Sequence, residues 1–352
     1  MNIVINGRTL LLPLNGIPRY ASEVVKVLDN LANAQLDIEV VLPAGESFDW
    51  VYKNIKLVEL PQCAAWDYRQ AERYAKRQGA LYVNIASKGV LYRNSVATFF
   101  DIRPLSYGDG KSTIKTARTK FKFSLSYWLA VHRAKRLVTI SAFSESEMLA
   151  RSKALAGKTL IAGCGWEHMQ YIQPDDQVFL QHPAIQKQSY YLCIGSIAPH
   201  KNLAWINENA KLYPQNQYLI VGDTDKRLWS DTVECDSNNV HYVGYQNDAR
   251  MKALLLGAKA LVFPSFYEGF GIPPLEALAC GIPAIVSDIP VMREIFGRTV
   301  HYLDPTKANL DLEHALKEPV DAPDTVLKEH SWSEAGKKWL ALLREEQGDN
   351  NK

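Results

Sequence analysis

Cysteine is sparse in this 352-residue sequence: five residues, Cys63, Cys164, Cys193, Cys235 and Cys280, odd in number and with no Cys-x-x-Cys pair. That excludes a disulfide framework and a thiolate zinc site, and it fits buried thiols in a reducing compartment. No apolar run reaches the length of a membrane span. No basic segment precedes the first apolar stretch, which Pro13 and Asn15 interrupt, so no secretory leader is expected and the expected location is cytoplasmic. The net charge of +2 is too small to argue for nucleic acid. Also missing are the His-Glu-x-x-His of metalloproteases, the Gly-x-Ser-x-Gly elbow of hydrolases and the Gly-x-Gly-x-x-Gly fingerprint of dinucleotide enzymes. Asp223-Thr-Asp225 matches the short Asp-x-Asp pattern of metal sites, but three residues carry little weight, and no metal or cofactor is expected.

What is present is a globular chain long enough for two domains, 47% hydrophobic and 22% charged. Short apolar runs at 3–5, 38–42, 81–85, 96–99, 137–140, 190–194, 218–221, 260–263 and 284–286 read as buried strands. Helical periodicity lies between them, as at 20–31 and 248–257. Such alternation predicts α/β architecture, with parallel sheets covered by helices on both faces. Residues 168–189, rich in Gln, Asp and Pro, read as a linker. The expected domains are 1–168 and 187–330, followed by an amphipathic helix over 331–347 that carries Trp332, Trp339 and Leu343.

The most informative stretch is Phe263-Pro-Ser-Phe-Tyr-Glu-Gly-Phe-Gly-Ile-Pro-Pro-Leu-Glu-Ala-Leu-Ala-Cys-Gly-Ile-Pro-Ala-Ile-Val-Ser. It reads as strand, glycine-rich loop, helix, glycine stop and strand, with Pro274 suited to the first helical position and Gly281 to the helix end. Glu268 in the loop and Glu276 in the first helical turn would face the crevice at the strand's carboxyl end. Carboxylates there accept hydrogen bonds from the paired hydroxyls of a ribose or hexose. Gly269 and Gly271, flanking Phe270, let the backbone approach an anion closely. Either glutamate alone reads equally well as a surface acid near a helix start, where acids are favoured; the whole string does not. A second element, Cys193-Ile-Gly-Ser-Ile-Ala-Pro-His-Lys-Asn-Leu, ends a strand at Gly195 and places Lys201 where it can neutralise a diphosphate. A fixed cation there helps most as the leaving group gains charge.

These residues resemble the family 4 retaining glycosyltransferases of the GT-B fold, bacterial surface-polysaccharide type. The resemblance implies two Rossmann-like parallel-sheet domains facing a cleft, with a C-terminal helix crossing back to the first. It matches Glu268 and Glu276 to the family's paired glutamates spaced eight apart, the first on the donor sugar and the second on the ribose. It matches Lys201 to the diphosphate lysine, and Gly195, Ser196 and His200 to the loop around it. Gly16-Ile-Pro-Arg-Tyr resembles the N-terminal glycine loop near the phosphates, and Asp101 the acid ending an N-terminal strand. Arg133 to Ser144, Gly163-Cys-Gly-Trp, Val243-Gly-Tyr, Leu303-Asp-Pro and Ser331-Trp resemble further landmarks along the chain. Two positions depart from the pattern. Ser196 stands where the family often has arginine, so His200, or Arg19 from the other domain, is expected to share the diphosphate charge. Phe100 stands where the family commonly has a histidine near the donor sugar. The implied reaction is metal-independent transfer of a hexose, from GDP-mannose or a UDP-hexose, onto a saccharide or lipid-linked acceptor of O-antigen, capsule or exopolysaccharide synthesis. A GT-B nucleotide-sugar epimerase, a phosphorylase and a non-catalytic partner subunit are the alternatives.

Residues 111–136 hold eight basic side chains and no acid: Lys111, Lys115, Arg118, Lys120, Lys122, Arg133, Lys135 and Arg136, with Phe121, Phe123, Tyr127, Trp128 and Leu129 interleaved. This reads as a basic amphipathic helix suited to peripheral contact with an anionic inner-membrane surface, or as an ordinary helix with a solvated basic face. No nucleic-acid recognition pattern accompanies it.

Overall fold

The computed structural model describes residues 2–31, 36–48, 50–107, 114–183, 185–196, 198–222 and 237–348. The chain divides into two units, one of Met1–Gly165 with His330–Lys352 and one of Trp166–Glu329. The division falls at Gly165, before the expected boundary at 168. Residues 168–189, expected as a linker, belong to the second unit.

The first unit is built on β1 (Ile3–Asn6), β2 (Ile38–Pro43), β3 (Lys56–Leu60), β4 (Leu81–Asn84), β5 (Ser95–Thr98), β6 (Arg136–Thr139) and β7 (Thr159–Ile161). They form one parallel sheet in the order β3-β2-β1-β4-β5-β6-β7. The strands β1, β4 and β5 are buried throughout, which is why they read as continuous apolar runs. Helix α1 (Gly16–Leu31) turns Tyr20, Ala21, Val24, Val25 and Leu28 inward, one stripe at helical spacing. Helix α2 (Ile114–Arg133) buries Tyr127, Ala130 and Val131 on the core that contains Phe99 and Leu137.

The second unit has β8 (Tyr190–Ile194), β9 (Gln217–Val221), β10 (Val240–Gly244), β11 (Ala260–Phe263), β12 (Ala284–Ser287) and β13 (His301–Leu303), parallel in the order β10-β9-β8-β11-β12-β13. The one-turn helix α3 (His168–Tyr171) precedes this sheet. Helices α4 (Leu203–Leu212), α5 (Asp248–Leu256) and α6 (Ile272–Ala279) follow β8, β10 and β11. The order reverses between β8 and β11, and open α/β sheets bind ligands outside the carboxyl ends at such a switch point.

Helix α7 (Trp332–Gly348) returns to the first unit. The indole Nε1 of Trp339 donates to the Tyr20 hydroxyl at 2.9 Å, and Trp332 meets the Tyr20 ring edge-on at 5.8 Å. Gly336 allows close approach to α1, since a Cβ there would lie 2.2 Å from Val27 Cγ1. Lys135 pairs with the buried Glu346, and Arg136 with Glu345 at 3.2 Å. Two members of the basic stretch are therefore spent on holding α7. Among the described residues, no helix is long and apolar enough to cross a membrane.

Candidate active site

The loops after β8, β9, β11 and β13 are bound into one structure at the carboxyl edge of the second sheet. The Gly195 amide donates to Val221 O at 2.9 Å, and a Cβ on Gly222 would fall 2.0 Å from Gly195 O. Asn202, left-handed at φ 54°, starts α4, and its side-chain amide donates to Pro264 O at 3.0 Å and Pro305 O at 2.8 Å. One residue thus ties the loop after β8 to those after β11 and β13. The Phe266 amide donates to His200 O at 2.8 Å, closing the same seam.

Within this frame, Lys201 Nζ donates to Glu268 Oε1 at 2.6 Å, with both side chains mostly buried. The lysine stem runs alongside Gly195, whose Cβ, if present, would lie 3.4 Å from Lys201 Cγ. Its ammonium sits 5.2 Å from the Phe263 ring centre. An ammonium has three donors; Glu268 takes one, and among the described residues no other protein acceptor takes the rest.

Gly269 and Phe270 are buried, and Gly271, at φ 112°, precedes α6. The helix begins at Ile272, so Pro273 and Pro274 both lie inside its first turn and Glu276 stands one turn in, beyond the first turn that had been expected to hold it. Double proline is tolerated there because the first amides of a helix lack partners anyway. Gly281, at φ 73°, ends the helix as expected. Glu276 Oε1 lies 2.9 Å from Nε2 of His168, whose side chain is 5% exposed. Sequence reasoning missed this partner. It is 108 residues away, in a stretch whose composition resembled a linker.

Gly16, Arg19 and Asp101 belong to the first unit. Gly16 opens α1 with φ 30°. Arg19 is buried, with its guanidinium 3.5 Å from Glu23 one turn on. Asp101 accepts from the Arg103 amide at 2.9 Å, just beyond β5. Phe100, where the resemblance implied a histidine, is 7% exposed and packs edge-on against Tyr20 at 4.8 Å. The position has become part of the core beneath α1. The Asp223-Thr-Asp225 pattern lies outside the described residues; among those described, no cluster of His, Cys, Asp and Glu could hold a metal ion. Burial pushes the Cys164 and Cys193 thiols well above their ordinary range, which disfavours the reactive thiolate.

Residues 175–339 match the family Glycosyl transferases group 1. O-antigen chain mannosyltransferase RfbU of Salmonella typhimurium is 31% identical over 241 residues, 67% of this chain and 64% of that protein, so the match spans just under two thirds of that relative. O-antigen chain mannosyltransferase B of Escherichia coli is 26% identical over 375 residues, covering 95% of this chain and 92% of that protein. The crystal structure of WaaG, a glycosyltransferase involved in lipopolysaccharide biosynthesis, superposes with a TM-score of 0.66 over 96% of this chain and 95% of that one, at 16% identity. The chain is a GT-B-fold glycosyltransferase. It is related to bacterial mannosyltransferases of polysaccharide synthesis. The joined loops of the second unit, with Lys201 and the two glutamates, are the candidate functional site.

Proposed function

We propose that this glycosyltransferase moves mannose from GDP-mannose onto a saccharide acceptor on a lipid carrier, with retention at the anomeric carbon. The observation that carries the proposal is the pairing of each glutamate. Glu268 Oε1 is held by Lys201, and Glu276 Oε1 by His168. The second oxygen of each has no protein partner among the described residues, so two fixed acceptors are left for sugar hydroxyls. The two O-antigen mannosyltransferases among the relatives favour a mannosyl donor over a UDP-hexose.

In the proposed reaction, the bond between the anomeric carbon and the diphosphate oxygen breaks, and its electron pair goes to the diphosphate. The acceptor hydroxyl bonds to the same face of that carbon and passes its proton to a leaving-phosphate oxygen. Lys201 stabilises the charge that builds there, and Glu268 and Glu276 orient sugar and ribose. The test is to incubate the purified chain with GDP-mannose, UDP-glucose or UDP-galactose, with and without a polyprenyl-diphosphate-linked saccharide. GDP release that requires acceptor supports the proposal. Product from a UDP-hexose alone refutes the donor, and conversion without acceptor favours an epimerase.

Access to such an acceptor is supported by the outer face of α2. Phe121, Leu125 and Trp128 are 69%, 49% and 52% exposed at helical spacing, with Arg118, Lys120, Lys122 and Arg133 exposed around them. An apolar stripe rimmed by cations suits the interface of an anionic bilayer. Flotation with phosphatidylglycerol vesicles, but not with neutral ones, is the expected result.

A further inference from the structure

The segment between the two sheets carries a residue that belongs to the donor site. We infer that His168 is a positioning residue that fixes the Glu276 carboxylate for nucleotide recognition. This rests on the assignment of Glu276 to the donor's ribose.

A glutamate on a helix has three freely rotating torsions. Unless something holds it, binding must select one arrangement from several. The imidazole Nε2 of His168 lies 2.9 Å from Oε1, and the two side chains are 5% and 14% exposed. Engaging one lone pair of Oε1 fixes the carboxylate and leaves Oε2, with the other lone pair of Oε1, as acceptors at set places. A vicinal diol can then donate to oxygens that are already in position. Hydrogen bonding by the histidine therefore arranges the carboxylate before any ligand arrives.

The histidine is itself held firmly, which separates it from a chance neighbour. The carbonyls of Met169 and Ile172, at and just after the end of α3, both accept from Lys252 Nζ, at 2.7 and 2.8 Å. Trp166 Nε1 donates to Leu327 O at 2.8 Å on the N-terminal side of α3. Beyond it, the Asp175 amide donates to Ala249 O at 2.9 Å, and the Asp175 carboxylate meets Arg250 at 3.2 Å. Helix α5 thus clamps the whole strap, and the strap carries His168 to Glu276. This bonding also explains why residues 166–189 belong to the second unit.

The test compares His168→Leu, which fills the space without a donor, with His168→Gln, which keeps one. Lys252→Met removes the clamp without touching either partner, and Glu276→Ala serves as reference. Binding of GDP, with UDP as a second probe, is read by calorimetry, and donor KM and kcat by steady-state assay. Thermal unfolding shows which variants are folded. The expected result is a GDP Kd and donor KM raised about tenfold in His168→Leu, corresponding to about 1.4 kcal/mol, with kcat within about threefold. Substantial rescue in His168→Gln and a smaller KM rise in Lys252→Met are also expected. If Glu276→Ala weakens GDP binding while His168→Leu binds as wild type, or if His168→Leu and His168→Gln are equally impaired, the positioning role is refuted. If Glu276→Ala itself binds GDP normally, the ribose assignment fails and the inference falls with it. If His168→Leu does not fold, Lys252→Met decides: a wild-type KM there overturns the proposal.

Discussion

The ammonium of Lys201 lies 2.6 Å from the Glu268 carboxylate, although 67 residues of chain separate them. The two groups leave different strands of one parallel sheet, β8 and β11, which are neighbours at the switch point. Each compensates the other's charge in a half-buried place, so removing one leaves its partner unbalanced. Replacing Lys201 by alanine is expected to lower kcat about a hundredfold, because a preorganised donor acts on charge that develops only in the transition state. Donor KM should change much less. Steady-state kinetics with saturating acceptor checks this, and an unaltered kcat would remove Lys201 from the reaction.

The Phe100 ring is expected to contribute stability rather than substrate contact. It meets Tyr20 edge-on, and Tyr20 in turn bonds Trp339 of α7. Phe100→Ala should destabilise the first unit by about 3 kcal/mol through the cavity it leaves. A shift in the urea midpoint equivalent to less than about 1 kcal/mol would show that the site collapses around the loss.

Gly222→Ala is expected to damage the donor loop itself. The added methyl would sit 2.0 Å from Gly195 O, and backbone cannot yield as a flexible side chain can. The position also has φ 155°, where side chains are strained. Both GDP affinity and thermal midpoint should fall. Wild-type affinity in this variant would mean that the loop after β8 does not meet the nucleotide.

His301 on β13 should make the second unit sensitive to mild acid. Burial lowers its pKa below the ordinary value of about 6.5, against a smaller opposing effect of Glu318. Between the folded value and about 6.5, the unfolded chain binds more protons, so stability rises with pH across that window. The contribution is complete above about 6.5 and is lost as pH falls through the folded value. Urea midpoints of wild type and His301→Gln, measured from about pH 5 to 8, should converge or cross toward the acid end. Parallel curves would exclude this residue as the cause.

Hydrophobic runs marked the interior strands because both faces of such strands are buried, leaving few polar residues to break the pattern. Among the described residues, the strands that periodicity did not mark, β3, β7, β10 and β13, lie at the sheet edges. β3, for instance, alternates exposed and half-buried residues and keeps Lys56 and Glu59 outward. In the candidate site, the glutamates and Lys201 stood out in the sequence because of the glycine and proline around them, and the structure brings Lys201 and Glu268 together. His168 and Asn202 were not. A single histidine in a polar stretch has no period, and a left-handed asparagine reads like any turn residue. Their roles arise only when the sheet brings strand ends together. Glu276 was placed two positions too close to the helix start because Pro274 suggested a start that Ile272 in fact provides.

The closing of the first unit by α7 has a consequence for biosynthesis. Residues 332–348 leave the ribosome only after the whole of the second unit has been made. Until then, Tyr20 and Val27 on α1 lack the cover of Trp339 and Gly336. The later-synthesised unit is therefore the first able to complete its core, while the earlier one waits for the end of the chain. A chain arrested ahead of Trp332 should carry a finished second unit behind an unfinished, chaperone-dependent first one.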